Sequence, residues 1–231
     1  MSTIDDLHRF EPVSDPRPVD SPWPPLVWPI PDEVVLTGDV VRLTTADPEA
    51  DAAELFRALD HEQAWTHIPL RTEDADRLAD QLARWRADPE WHPWTVRLVR
   101  DVRGIPAGSI IGMTSYLNVS VRDARLEIGA TVYSPAVWGS AVNPAAKHLL
   151  LGYAFDTLRT GRVQIKTDVR NHRSQQAIAR LGAHYEGTLR REFRRTDGTV
   201  RDTALFSITA EDWPDVNERL TARLRTHDAK L

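Results

Sequence analysis

After residue 33, segments with the apolar spacing of strands and segments with the apolar spacing of helices follow one another. This pattern constrains the fold of the chain more than any other feature. Apolar residues recur at every second position in some segments, as in strands, and at every third or fourth position in others, as in amphipathic helices. The resulting order is strand, two helices, three strands, helix, strand, helix and a hairpin, which indicates a mixed α/β fold. The later predicted segments are strands 94–100, 109–117, 126–133, 162–168, 186–195 and 200–209 and helices 144–159 and 173–181.

Length and composition exclude several classes of protein. The chain has 231 residues and no cysteine, so disulfide frameworks, zinc–cysteine sites and thiol nucleophiles are excluded. Its formal net charge of −5 gives no general attraction to nucleic acid or to an anionic membrane. No segment approaches the roughly 20 apolar residues that cross a bilayer, and no secretory signal is visible. We expect a cytoplasmic protein that does not bind membranes, and we do not expect nucleic acid as its main ligand.

The first 33 residues differ from the rest of the chain. They are rich in proline, which forbids regular helix and favours an extended path. Trp23 and Trp28 lie among these prolines, so we expect residues 21–31 to pack against the domain or against a second copy of the chain in a homodimer. A disordered leader is the alternative. The predicted organisation is an extension over 1–33, one domain over 34–225 and a tail over 226–231.

The segment from Tyr133 to Pro144 is a candidate phosphate-binding site. A predicted strand ends, a loop of small residues turns, and Asn143-Pro144 begins a long helix. The first amides of a helix have no internal partner and carry partial positive charge, so they bind phosphate where small side chains allow close approach. A turn without a ligand would also explain this loop. The candidate residues are Trp138, Gly139, Ser140, Ala141, Val142 and Asn143.

Four motifs give the chain a resemblance to the GNAT superfamily of N-acetyltransferases, and to its RimJ/RimL-like members in particular. Gly139-Ser140-Ala141 is similar to half of the pyrophosphate loop of that superfamily. The resemblance covers residues 34–223. The other motifs are Asn171-His172-Arg173-Ser174 with Leu181-Gly182-Ala183, Arg201-Asp202-Thr203 with Trp213-Pro214, and Ala64-Trp65-Thr66 with Pro69.

This resemblance implies a fold, a reaction and its substrates. The fold is the α/β (α+β) acyl-CoA N-acyltransferase fold, with a central, mostly antiparallel sheet that splays where acetyl-CoA enters. The reaction is the transfer of an acetyl group from acetyl-CoA to a primary amine, by direct attack because no cysteine can carry the acyl group. The acceptor is a protein N-terminus, an amino acid or a small-molecule amine. The histidines show no metal-ligand spacing, so we expect no metal.

Glu127 is the candidate general base. It lies on the strand Leu126-Glu127-Ile128-Gly129-Ala130-Thr131, and similar Glu-Ile-Gly strands of the family line the cleft beside the thioester. Strand alternation places Glu127, Gly129 and Thr131 on one face, with Gly129 leaving space for the carboxylate. The alternatives are an exposed strand glutamate and a glutamate paired with Arg125.

Further site residues follow from the same resemblance. Ser174 is the candidate acid for the leaving thiolate, or a contact to it, and its alternative role is to satisfy amides of the first helical turn. Asn171 is expected to cap that helix and to contact acetyl-CoA. Backbone groups of Val132 and Tyr133 are expected to bind the pantetheine arm as an added strand would.

Two departures from the family pattern and one basic segment support other functions. Ala136 stands where the loop often carries Gln or Arg, and Ile178 stands where many relatives carry a tyrosine acid. Both changes fit an acyl-CoA-binding module with weak catalysis. The hairpin, with a predicted type I′ turn at Asp197-Gly198, could bind RNA, the 3′-phosphate of CoA or an acidic substrate, or simply face solvent. Its arginines are Arg190, Arg191, Arg194, Arg195 and Arg201.

Overall fold

The computed structural model describes residues 12–14, 23–68, 71–195 and 197–228 and contains an eight-stranded sheet flanked by helices. The predicted mixed α/β fold is therefore confirmed. The strands are β1 (Val35–Thr37), β2 (Val41–Thr45), β3 (His92–Leu98), β4 (Ile110–Ser120), β5 (Arg125–Tyr133), β6 (Arg162–Asp168), β7 (His184–Arg194) and β8 (Val200–Thr209). The helices are α1 (Pro48–Leu59), α2 (Glu62–Trp65), α3 (Ala75–Ala87), α4 (Val142–Gly152), α5 (His172–Ala179) and α6 (Trp213–Asp228).

The sheet opens between β5 and β6, its fifth and sixth strands in spatial order. The strand order is β1-β2-β3-β4-β5-β6-β8-β7, and β5 with β6 is the parallel pair among otherwise antiparallel neighbours. Pairing of β5 with β6 is confined to residues 125–127 against 162–164. Beyond these residues the two strands separate toward their carboxyl ends. The structure therefore confirms the predicted splayed, mostly antiparallel sheet.

The two faces of the sheet are covered differently. One face packs against α4 and α6 through a core that includes Leu126, Leu150 and Ile208. The other face packs against α1 and α3 over β3 and β4, through a second cluster that includes Leu55 and Met113. On β6 and β8 this second face carries polar and charged side chains instead: Gln164, Lys166, Asp168, Arg201, Thr203 and Ser207.

The described part of the N-terminal extension packs against the domain. Leu26 and Ile30 are each 5 % exposed and belong to the core. The amide of Val27 donates to the Leu158 carbonyl at 2.8 Å, and the Trp28 indole donates to the Pro89 carbonyl at 2.7 Å. The Trp23 ring lies so close to Gly161 that a β-carbon there would overlap it. Packing against the domain is thus confirmed for residues 23–31, whereas residues 21 and 22 lie outside the described residues.

Three local predictions need correction. Helix α4 begins at Val142 and ends at Gly152, and residues 153–157 continue as a π-helical turn, so the predicted 144–159 is not one regular helix. Helix α6 has no counterpart among the predicted elements, and it runs into the predicted tail as far as Asp228. Residues 229–231 of that tail lie outside the described part of the chain.

The third correction concerns the predicted turn of the hairpin. The Gly198 amide donates to the Arg195 carbonyl at 3.0 Å, and the Arg195 amide donates to the Thr199 carbonyl at 2.7 Å. Gly198 has a φ of 81°, the left-handed conformation that favours glycine. These bonds enclose three residues between Arg195 and Thr199, so the loop is longer than the predicted two-residue type I′ turn.

Leu26→Ala is expected to lower the free energy of unfolding by about 2–5 kcal/mol, because it removes buried apolar volume from the core. Val27→Ala is the matched control, since the neighbouring valine side chain is 51 % exposed; its effect should stay within about 0.5 kcal/mol. Urea denaturation of both variants measures the difference. Equal losses of stability would show that residues 23–31 do not contribute to the core as described.

Candidate active site

A β-bulge in β5 shapes the place where the sheet opens. Ala130 has a φ of 47°, and the register with β4 shifts between Met113 and Ser115. Leu126 and Ile128 belong to the core under α4, whereas Glu127 and Gly129 lie on the opposite face. The bulge then reverses the alternation, so Thr131 faces α4. The prediction that Thr131 shares the face of Glu127 is therefore wrong.

Glu127 is held by side chains from both neighbouring strands. It is 7 % exposed. Its Oε2 accepts hydrogen bonds from Asn118 Nδ2 and Gln164 Nε2, each at 3.0 Å, and lies 3.3 Å from Lys166 Nζ. The carboxylate therefore occupies a defined position at the closed end of the cleft, where β5 and β6 are still paired.

Gly129 provides space for Oε1, the other carboxylate oxygen of Glu127. A β-carbon at Gly129 would lie 2.9 Å from Glu127 Oε1 and 2.9 Å from Leu117 Cδ2, closer than such contacts occur. The expected role of Gly129 as a space beside the carboxylate is therefore confirmed. The alternative pairing with Arg125 is wrong, because the Arg125 guanidinium lies 3.8 Å from Asp123 and is not paired with Glu127.

Lys166 links Glu127 to the hairpin. Its ammonium group contacts Glu127 and also donates to Glu192 Oε1 at 3.1 Å. Burial alone would lower the pKa of Lys166, but the charges of Glu127 and Glu192 and their hydrogen bonds outweigh it, so the pKa is raised. Lys166 is therefore a cation at neutral pH that two carboxylates share.

The loop between β5 and α4 presents free amides. Gly139 has a φ of 73°, and Ser140 Oγ donates to the Val137 carbonyl at 2.6 Å and accepts from the Val142 amide at 3.2 Å. Within the described residues, the amides of Gly139, Ala141 and Asn143 donate no hydrogen bond. Three donors at the beginning of α4 are therefore available to an anion.

Two arginines that the sequence analysis did not assign to the site lie against this loop. Arg103 Nη1, from the segment between β3 and β4, donates to the Trp138 carbonyl at 2.6 Å. The Arg173 guanidinium on α5 lies 3.3 Å above the Trp138 ring, and burial lowers its pKa. Arg103 thus supplies a positive charge next to Gly139.

Asn171 and Ser174 lie at the beginning of α5. Asn171 Oδ1 accepts from the Ser174 amide at 3.0 Å, which confirms that Asn171 caps the helix. The Ser174 hydroxyl is half-buried and has no hydrogen-bond partner in the described part of the chain, so it does not satisfy helix amides itself. Ile178 is buried in the core and offers no polar group.

The backbone at the end of β5 borders the open part of the cleft. The Tyr133 carbonyl accepts from the Trp138 indole at 3.1 Å. The Val132 carbonyl lies against Gly112, where a β-carbon would come within 2.4 Å of it. The Val132 carbonyl is therefore directed toward β4, and the Tyr133 backbone lies on the side of the cleft.

Lys147 is a buried lysine of α4 that the sequence motifs did not identify. It is 4 % exposed, and its Nζ donates to Thr131 Oγ1 at 3.0 Å. Thr131 Oγ1 in turn lies 2.7 Å from Thr114 Oγ1. Burial lowers the pKa of Lys147 to about 7, since no carboxylate compensates its charge among the described residues.

Metal-binding clusters and membrane-spanning helices are both absent from the described residues. No group of three or more His, Asp and Glu side chains is placed there to hold a metal ion. Among the helices of residues 12–14, 23–68, 71–195 and 197–228, none has the length and apolar character needed to span a bilayer.

Lys147→Met is expected to change how stability depends on pH. The pKa of Lys147 is about 7 in the folded protein against 10.5 for an ordinary lysine. Between these values the unfolded chain binds a proton that the folded protein does not, so stability rises with pH by about 1.4 kcal/mol per unit from this group. The variant lacks this rise. Urea denaturation of both proteins at pH 7, 8 and 9 measures it, and identical slopes would contradict the assignment.

Comparisons with known proteins agree with this geometry. Residues 41–184 match the family described as "Acetyltransferase (GNAT) domain". YdaF of Bacillus subtilis (strain 168), named as a candidate ribosomal N-acetyltransferase, is 29 % identical over 177 residues, which are 64 % of this chain and 93 % of YdaF. A candidate acetyltransferase from T. thermophilus is 33 % identical, with a TM-score of 0.74 over 86 % of this chain and 100 % of that chain.

One more distant structure carries a ligand. RimJ of Mycobacterium smegmatis, solved in complex with CoA-disulfide, is 24 % identical and superposes with a TM-score of 0.68 over 82 % of this chain and 91 % of that chain. At this identity the likeness concerns the fold alone.

Proposed function

Because the chain belongs to the acetyltransferase (GNAT) family, we propose that it transfers an acetyl group from acetyl-CoA to a primary amine within one ternary complex. One observation carries the proposal. The gap between β5 and β6 has free amides at its open end and the carboxylate of Glu127 at its closed end. A thioester and an amine can therefore meet between an anion-binding site and a proton acceptor.

The open end of the cleft suits the phosphates of acetyl-CoA. The amides of Gly139, Ala141 and Asn143 donate there, at the positive end of the α4 dipole. Arg103 and Arg173 add two cations beside the same loop. The positive charges and the amide donors thus both favour the open end of the cleft as the binding site of the pyrophosphate.

The exposed edge of β5 suits the pantetheine arm. Beyond residue 127 this edge has lost its pairing with β6, so the Tyr133 backbone can bind amides of the arm as an added strand would, whereas the Val132 carbonyl is directed toward β4. At about 3.3 Å per residue, roughly 20 Å of strand separates Tyr133 from Glu127. Asn171 and Ser174 face the arm from α5 in this arrangement.

Glu127 acts as general base in the proposed reaction. Its Oε2 is occupied by Asn118, Gln164 and Lys166, so Oε1 over Gly129 receives the proton of the amine, directly or through a water molecule. The amine nitrogen forms a bond to the carbonyl carbon as the carbon–sulfur bond breaks. The free Ser174 hydroxyl, or water, protonates the thiolate.

The acceptor is proposed to be a protein N-terminus, as the ribosomal name of YdaF suggests, and we place the reaction in the cytoplasm. An amino acid or a small-molecule amine would react by the same chemistry. The RNA hypothesis rested on the hairpin arginines, but Arg195 is held by Asp168 and Arg201 is partly buried. The contacts of these two residues favour the acetyltransferase over the RNA-binding function.

Glu127→Gln is expected to lower turnover by roughly 10²–10⁴-fold, because the amide keeps the size of the side chain but cannot accept a proton. Acetyl-CoA binding should persist, since the carboxylate faces the amine. At ligand about 100-fold above its dissociation constant, both proteins should gain about 2.7 kcal/mol of stability. Thiol release with a panel of amines measures turnover, and thermal unfolding measures binding.

Glu186→Gln is the matched control, because Glu186 is also an ion-paired carboxylate, bound to Arg162 on β6. Its turnover should remain close to that of the wild type. Normal turnover of Glu127→Gln would remove Glu127 from the mechanism. Absence of stabilisation of the wild type by acetyl-CoA would overturn the proposed function as a whole.

A further inference from the structure

The polar face of β6, β8 and β7 is organised as a set of ion pairs. Arg195 binds Asp168 through two hydrogen bonds, at 2.7 Å and 2.9 Å, and Asp168 is 1 % exposed. Lys166 pairs with Glu127 at 3.3 Å and with Glu192 at 3.1 Å. Each of these three carboxylates is therefore already occupied by a cation.

Arg201 lies among these pairs without a carboxylate of its own. Its Nε donates to Thr203 Oγ1 at 3.0 Å, and its guanidinium carbon lies 5.2 Å from the centre of the Phe193 ring. Among the described residues, no carboxylate oxygen comes within 4.0 Å of its nitrogens. The outer nitrogens, Nη1 and Nη2, consequently remain available for a bidentate hydrogen bond.

The charged groups around this guanidinium include the carboxylate of Glu127. Burial lowers the pKa of Arg201, while the charges of Asp168, Glu192 and Glu127 act in the opposite direction. Arg201 is thus partly desolvated and within electrostatic reach of Glu127. A partly buried cation without a partner is unfavourable, and an anionic ligand would relieve that cost.

Arg201 also lines a cavity between the segment after α2 and the hairpin, together with Trp65, Thr66 and His67. Burial lowers the pKa of His67, with further lowering by nearby arginines that Asp168 opposes. His67 is therefore neutral at pH 7, and the charged residues that line the cavity are Arg194, Arg195, Arg201 and Asp197.

We propose that Arg201 binds a carboxylate of the acceptor, so that the preferred acceptor is a primary amine with a carboxylate close to it. This inference rests on the proposed function and restricts the class of amine that accepts the acetyl group. The carboxylate comes either from a free amino acid or from an acidic side chain next to a protein N-terminus. In both cases the guanidinium holds the carboxylate while the amine reaches Glu127.

Pairs of amines that differ only in carboxylate against carboxamide test this inference. One arm compares alanine with alaninamide, and the other compares N-terminal Ala-Asp peptides with Ala-Asn peptides. The wild type should prefer the carboxylate by about 10- to 100-fold in at least one arm. The readouts are kcat/KM from thiol release and the dissociation constant of each amine for the CoA-loaded protein.

Arg201→Gln should remove this preference. Arg201→Lys should keep part of it, because lysine retains the charge but cannot form the bidentate hydrogen bond of a guanidinium. Arg190→Gln is the control, since Arg190 is exposed on β7 of the same hairpin. Thermal unfolding shows whether each variant is folded.

Equal use of acid and amide by the wild type in both arms, or a preference that survives Arg201→Gln, would overturn the inference. Absence of thiol release with every amine would instead overturn the proposed function. In that case the dissociation constants still decide the inference, because binding requires no turnover. A preference in binding that Arg201→Gln removes would support it.

Discussion

The early end of pairing between β5 and β6 is the constraint on which the site depends. Two parallel strands that separate after three residues leave backbone donors and acceptors without a partner in the sheet. The bulge at Ala130 occurs in the separated part of β5 and turns Thr131 away from Glu127. One end of the gap is therefore closed by Glu127, and the other is open beside the free amides before α4. A cleft for an extended ligand follows from the sheet itself.

Electrostatic pairing organises the rest of the cleft. Glu127 and Asp168 each have a cationic partner, Lys166 and Arg195, so the carboxylates are fixed in position. Lys147 on the α4 side and Arg201 on the opposite side have no carboxylate partner among the described residues. Burial destabilises the charged forms of these two groups in the free protein.

Most of the fold could be predicted from the sequence, because strand and helix spacings are local properties of the chain. The loop before α4, the Asn171 cap and the space at Gly129 were predictable for the same reason. Helix α6 was not predicted, although Val216 and Leu220 form a buried stripe at helical spacing. The local signal for this helix is therefore present in the sequence.

Other features could not be read from local patterns. Ala130 and Asn118 adopt left-handed φ angles of 47° and 51° without being glycine, so no sequence signal marked the bulge. The partners of Glu127 come from two neighbouring strands, and their contacts depend on strand order and register. Arg103 reaches the loop from a distant connection between β3 and β4. Such contacts appear only when the chain is folded.

A crystal structure of the protein with bound CoA tests the central claim most directly, because it locates both ends of the ligand in one measurement. The pyrophosphate should accept hydrogen bonds from the amides of Gly139, Ala141 and Asn143, with the pantetheine arm along the free edge of β5. The sulfur should then lie near Gly129, on the path to Glu127. A ligand bound outside the gap between β5 and β6, or one whose sulfur points away from Glu127, would contradict this account.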